Sequence, residues 1–214
     1  MKHLKKRMLL LGFILFIFVI VIVKNTMALD SNELYMMFDY SENKEELKAN
    51  AIKFIDLIDD SIFETSTFDN YSTLNKNYEF MTDFAISFIL NNQDFYQDEI
   101  KILDNYQYVS DNLEKYNTNK YISMDIIYDI TDKIFGIRDY AITNKYIEIK
   151  DDMIPLLQIN TVNSKMKIED IKEIKKIDNY YNFYVKYNGL DCMYLYKFKL
   201  LDNRLVLINL DIEV

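Results

Sequence analysis

Apolar positions follow three different rhythms along the chain. The first is no rhythm at all. Met8 to Val23 (MLLLGFILFIFVIVIV) is an unbroken apolar run, preceded by Lys2, Lys5, Lys6 and Arg7 and closed by Lys24. As a helix it spans roughly 24 Å, a little short of a hydrocarbon core of about 30 Å. Arg7 and Lys24 can snorkel to the interfaces and cover the difference. Basic residues on the N-terminal side place that end in the cytoplasm. The expected order is a cytoplasmic tip (1–7), a transmembrane anchor (8–24), a connector (25–42) and an extracytoplasmic domain (43–214). The competing reading is a cleaved signal peptide, with Thr26-Met27-Ala28 as the small-residue site and a secreted product starting after Ala28. No cysteine lies near Ala28, which excludes a lipoprotein signal.

The second rhythm is helical. Asn43, with Glu46 three residues on, resembles a capping box. Leu47, Ala51, Phe54, Ile55, Ile58 and Ile62 follow as one stripe. A second helix is expected from about Leu74 to Leu90, burying Leu74, Tyr78, Met81, Ala85, Phe88 and Ile89 and ending at Asn91-Asn92. Asp94 is read as the cap of a third, with Ile102, Tyr106, Val109, Leu113 and Tyr116 inward. A fourth starts near Ser123, carries Ile126, Ile127, Ile130, Ile134 and Phe135, and stops at Gly136, which suits a left-handed C-cap.

The third rhythm has period two. Tyr140–Thr143 and Tyr146–Ile149 flank Asn144-Lys145 as a short hairpin, and Pro155 interrupts the chain. From Tyr180 onward alternation dominates. Tyr181, Phe183, Val185 and Tyr187 share one face, and so do Cys192, Tyr194, Tyr196 and Phe198. Val206, Ile208, Leu210 and Ile212 are expected to align likewise. Asn188-Gly189 is the strongest hairpin signal and predicts a type I′ turn; Asp202-Asn203 predicts another turn. Ile168, Ile171, Ile174 and Ile177 recur every three residues. A helix fits that spacing, but the β-branched side chains favour a bulged strand. The result is a helical part (43–136) and a sheet part (137–214). The fold class is therefore α+β: a transmembrane helix, about four helices, then a C-terminal antiparallel meander.

Composition narrows the chemistry. From Asn25 to Ser164 there are 11 Lys+Arg against 26 Asp+Glu, and from Lys165 to Val214 there are 9 against 8. An acidic domain of this kind is repelled by nucleic acid and anionic lipid. The only histidine, His3, lies in the first seven residues, which removes Ser-His-Asp and Cys-His catalysis and His-containing metal sites from the remainder. Gly12, Gly136 and Gly189 are the only glycines, too few for a phosphate-cradling loop. Cys192 is the single cysteine, so no intramolecular disulfide forms. Carboxylates remain. Asp59-Asp60, Asp125/Asp129/Asp132 and Asp151-Asp152 are the densest groups. The middle set shares one helix face and could hold Ca²⁺ or Mg²⁺, although a solvated face explains it more simply. No cofactor, catalytic residue or metal ligand is assigned.

The helix ending in Phe135-Gly136, followed by an antiparallel sheet over the stretch Ser123–Val214, resembles the cystatin-like or nuclear-transport-factor-like cones of membrane-anchored extracytoplasmic proteins in low-GC Gram-positive bacteria. That resemblance implies an assembly or ligand-binding module and transfers no functional residue. The expected function is a non-catalytic, membrane-anchored binding module whose partner is another envelope protein. Tyr180 and Tyr184, on the sheet face opposite Phe183, are the candidate contacts, since tyrosine is favoured at interfaces. The alternatives are a carboxylate-dependent enzyme acting on cell-wall polymer and a ligand-sensing accessory domain.

Overall fold

A computed structural model describes residues 37–65, 74–103, 108–110, 113–142, 152–156 and 166–213. The run Met8–Val23 and the site after Ala28 lie outside these residues. Among the described residues no helix is long and apolar enough to cross a membrane. The chain separates into two units, Met1–Met36 and Met37–Val214. The second unit is α+β, built of helices and antiparallel sheets.

Helix α1 spans Lys44–Thr65. Asn43 Oδ1 accepts the Glu45 and Glu46 amides at 3.0 and 3.3 Å. The reciprocal half of the cap runs through Ser41, whose Oγ accepts the Asn43 amide and donates to Glu46 Oε2. All six residues of the expected stripe are buried, and Asp59 and Ser61 are buried with them. A 3₁₀ turn, Leu74–Lys76, leads to Asn77, which caps α2 (Tyr78–Asn91). Starting α2 at Leu74 is thus one turn too early. Helix α2 is buried nearly all round, as its apolar composition requires. Of its expected inward residues only Tyr78 is exposed. Asn92 terminates the helix through its N–H to the Phe88 and Ile89 carbonyls.

The expected third helix does not form. Only Gln93–Tyr96 (α3) is helical, and strands come after it: β1 Lys101–Ile102, β2 Tyr108–Ser110, β3 Leu113–Thr118 and β4 Lys120–Ser123. The apolar residues at helical spacing also alternate locally, and Asp111-Asn112 stands between residues that pair as Ser110↔Leu113. Strand pairing outweighed helical periodicity here. Ile102, expected inside, is 61% exposed.

Helix α4, Met124–Phe135, is capped by Ser123 and closed by Gly136 at φ 68°. Strand β5, Met153–Pro155, pairs with β4 in the order β1-β4-β5. Pro155 therefore ends an edge strand, where its missing N–H is tolerated, and does not simply break the chain. Tyr140–Ile142, expected as the first arm of a hairpin, carries no strand, and residues 143–150 lie outside the described set.

The meander forms as expected: β6 Ile168–Ile177, β7 Tyr180–Tyr187, β8 Met193–Leu201 and β9 Arg204–Glu213, all antiparallel and in sequential order. Two register shifts in β6 explain its spacing of three. They let Ile171 and Ile174 pair with Val185 and Phe183 on a single face. A further shift lies between Lys197↔Asn209 and Phe198↔Leu207 and leaves Ile208 as the extra residue. The expected alignment of Val206, Ile208, Leu210 and Ile212 is thereby broken. Leu207 joins Phe198 on the inner face, and Val206 turns outward.

Turn types reverse the expectation. Asp202 and Asn203 both have positive φ, 48° and 63°, and close Leu201↔Arg204 as a type I′ turn. At Asn188-Gly189 only Gly189 is left-handed, at φ 80°, and Leu190 N–H reaches Tyr187 O, the pattern of type II. The Asn188 amide is held by Lys167 O at 3.0 Å, outside the hairpin. Gly136 and Gly189 should both resist substitution, unequally. A Cβ at Gly189 meets nothing within 4 Å, so Gly189→Val should cost about 1–3 kcal/mol from backbone strain alone. A Cβ at Gly136 would lie 3.3 Å from Leu201 and Val206, so even Gly136→Ala should lower the unfolding free energy as much or more. Urea unfolding of the two variants checks the order.

Helix α1 lies on the aromatic inner face of the meander. Phe38 sits at the centre, its ring centroid 5.2 Å from Phe54, 5.6 Å from Phe183 and 5.0 Å from Phe198. The backbone of the same segment lines the outer edge of β9, with Leu205 N–H to Phe38 O and Tyr40 N–H to Asn203 O.

Candidate interface on the four-stranded sheet

Residues opposite one another in an antiparallel ladder point to one face. One such row crosses all four strands on the side away from α1: Ile177, Tyr180, Lys199, Val206. Exposure falls steadily along it, from 59% at Ile177 and 40% at Tyr180 to 2% at Val206. The next row, Lys175, Asn182, Lys197 and Asn209, runs from exposed to buried in the same direction.

The cover is at β9. The C-cap Gly136 of α4 abuts Leu201 and Val206, and Arg204 Nη2 donates to Asp132 Oδ1 at 3.1 Å. The outer face is thus closed along β9 and open along β6 and β7.

Tyr180 and Tyr184 both lie on this open half, with Phe183 buried beneath them, as alternation predicts. Tyr180 stands near the β6–β7 turn. Tyr184 is half-buried. Lys175 Nζ lies 4.5 Å above its ring and 3.4 Å from its hydroxyl, and it also pairs with Glu173 at 3.1 Å. The lysine ammonium thus holds the ring by a cation–π contact and its hydroxyl by a hydrogen bond.

Beneath the inner face lies a polar cluster that the alternation of residues gave no means of locating. Asp59, 2% exposed, accepts from Tyr187 at one carboxylate oxygen and from Tyr196 at the other, the latter at 2.5 Å. The two hydroxyls are 2.6 Å apart. Burial pushes the Asp59 carboxyl up to about 7, against the two tyrosine hydrogen bonds, which favour the charged form; the charges of Asp56 and Asp60 add to the rise. Burial and the Asp59 charge raise both tyrosines well above the usual phenol range. The cluster ties α1 to β7 and β8 and has no opening to solvent large enough to leave Asp59 exposed. Two of the remaining carboxylate candidates are engaged with cations, and among the described residues no group of three acidic side chains could hold a metal ion. Asp129 pairs with Lys133 at 2.6 Å and Asp132 with Arg204. Asp151 lies outside the described residues.

No family model, no curated protein and no solved structure matches this chain.

Proposed function

We propose that the chain is a single-pass, membrane-anchored protein whose domain stands outside the cytoplasm and acts as a non-catalytic binding or assembly module of the cell envelope. The observation that carries this reading is the graded outer face. A sheet covered along one strand and open along two, with Tyr180 and Tyr184 on the open half, offers a flat patch fit for a protein partner. The apolar run Met8–Val23 with its basic N-terminal flank supports the anchoring, and the near absence of histidine and glycine supports a role without catalysis. The most strongly perturbed carboxylate, Asp59, is sealed from any polymer, which weighs against an enzyme built on it.

The test is recovery of crosslinked neighbours from intact cells. Replacing both Tyr180 and Tyr184 with alanine should reduce recovery of the main partner by about 30-fold, the effect of losing about 2 kcal/mol at an interface anchor. Undiminished recovery by a normally folded double variant would remove this face from consideration.

A further inference from the structure

The two tight turns of the meander, Asp178-Asn179 and Asp202-Asn203, lie at one end of the sheet, as the pairs Ile177↔Tyr180 and Leu201↔Arg204 require. The described chain also begins there. Met37 Sδ lies 3.3 Å from Arg204, and Tyr40 packs against Tyr181, 5.4 Å between ring centroids, with Lys176 Nζ over both rings. Six large hydrophobic side chains are exposed among the described residues, and three of them, Met37 (39%), Ile177 (59%) and Tyr180 (40%), are at this end. Of the others, Ile212 pairs with Tyr194 toward the opposite end, and Tyr78 and Ile102 belong to other elements.

We propose that this end of the sheet seats on the bilayer surface, with Met37 and Ile177 entering the headgroup region and Tyr180 left above it for the partner; the inference rests on the membrane anchoring proposed above. Between Val23 and Met37 only thirteen residues intervene. Fully extended they reach about 45 Å, so the domain is held near the membrane and a weak surface affinity suffices. The described residues begin at the same end that carries the apolar side chains.

The residue types suit an interface. Methionine and isoleucine side chains enter the apolar boundary, and lysine stems lie along it. Charge is mixed here: Lys175, Lys176, Lys199 and Arg204 share this end with Asp39, Asp178 and Asp202, and Lys175 and Arg204 are already paired with Glu173 and Asp132. The seat is therefore apolar in origin and needs no anionic lipid, whatever repulsion the rest of the acidic domain feels. Seated this way, the sheet stands upright and presents Tyr184 sideways, toward neighbours in the same membrane.

The chain contains no tryptophan, so one introduced residue is a unique reporter. The full chain carrying Ile177→Trp, reconstituted into phosphatidylcholine vesicles with lipid brominated near the headgroups, should lose at least about half of its emission, because an interfacial seat lies within ~5–10 Å of that boundary. Ile212→Trp should be little quenched, and the quenching at 177 should need no phosphatidylglycerol. If the chain stays with floated vesicles after carbonate washing but Trp at 177 is unquenched, the anchor stands and the seat is overturned. Equal quenching at 177 and 212 also overturns it. A chain stripped from vesicles by carbonate overturns the anchoring and the seat together. Quenching only when phosphatidylglycerol is present would refute the apolar origin and leave an electrostatic contact in its place.

Discussion

Between pH 4 and pH 8 the wild-type domain should lose about 4 kcal/mol of stability through Asp59 alone, and Asp59→Asn should abolish most of that loss. The carboxyl is raised from the usual 3.8 to about 7 in the folded chain. Below pH 3.8 it is protonated whether the chain is folded or not. Between 3.8 and 7 the unfolded chain has given up this proton and the folded chain still holds it, so rising pH favours unfolding. Above 7 both forms are ionised and the effect is constant. A rise of this size corresponds to about 4 kcal/mol. Groups such as Asp170, whose carboxyl is lowered by the Lys48 hydrogen bond, act in the opposite sense and at lower pH, losing stability as pH falls. The two windows therefore separate. Asparagine keeps the shape and one acceptor but must find a partner for its amino group, so the variant should be less stable than wild type at pH 4 and more stable at pH 8. Urea unfolding at pH 4.5, 6 and 8 measures this. An unchanged slope in the variant would mean that Asp59 ionises normally. Tyr196→Phe removes a hydrogen bond that favours the charged form, so the upper end of the window should move to higher pH.

Phe183→Ala should cost about 3 to 5 kcal/mol, and Tyr184→Ala about 1 kcal/mol or less, although the two residues are neighbours in one strand. Phe183 is fully buried, its ring 5.6 Å from Phe38 and 5.4 Å from Phe198. Truncation removes the middle of an aromatic cluster that α1 and β8 hold rigidly on either side, so the cavity cannot collapse. Tyr184 is only half-buried, with Lys175 Nζ 4.5 Å above its ring. Thermal and urea unfolding of the two variants, side by side, settles the face assignment. Equal losses would show that Tyr184 is covered and unavailable to a partner.

Local chemistry was readable wherever the partner lay close in sequence. Asn43 and Gly136 announced their caps, and Ser123 the start of a helix, because such signals need only the next few residues. Alternation from Tyr180 to Phe198 announced the inner face because a strand has only two faces. Misreadings came where a choice depended on distant chain. Ile102 to Tyr116 carries both a helical and an alternating pattern, and nothing local decides between them. Asn188-Gly189 is a better type I′ pair than Asp202-Asn203, yet Lys167 holds the Asn188 amide and the tight turn forms at the weaker pair. The extra residue Ile208 in β9 left no mark in the sequence. Asp59 could be placed on the apolar stripe of α1, four residues from Ile55 and three from Ile62. Its tyrosine partners stand 128 and 137 residues away, and only folding brings them together. The candidate interface was half legible: alternation gave the face, and the cover along β9 that confines it to one half came only with the structure.

The two edges of the meander differ in a way that bears on self-association. An edge strand is a template for another chain's backbone, and long flat edges nucleate aggregates. Along β9 the segment Phe38–Tyr40 already takes two of the backbone positions. Along β6 the register shifts break the regular row of donors and acceptors, and Glu169, Asp170, Lys172, Glu173, Lys175 and Lys176 crowd the strand with charge. Strand-by-strand growth is thus obstructed at both ends. Under the anchoring proposed above, copies held in the two dimensions of a membrane reach high local concentrations, and blunted edges would keep them from polymerising while leaving the proposed sheet face free to bind.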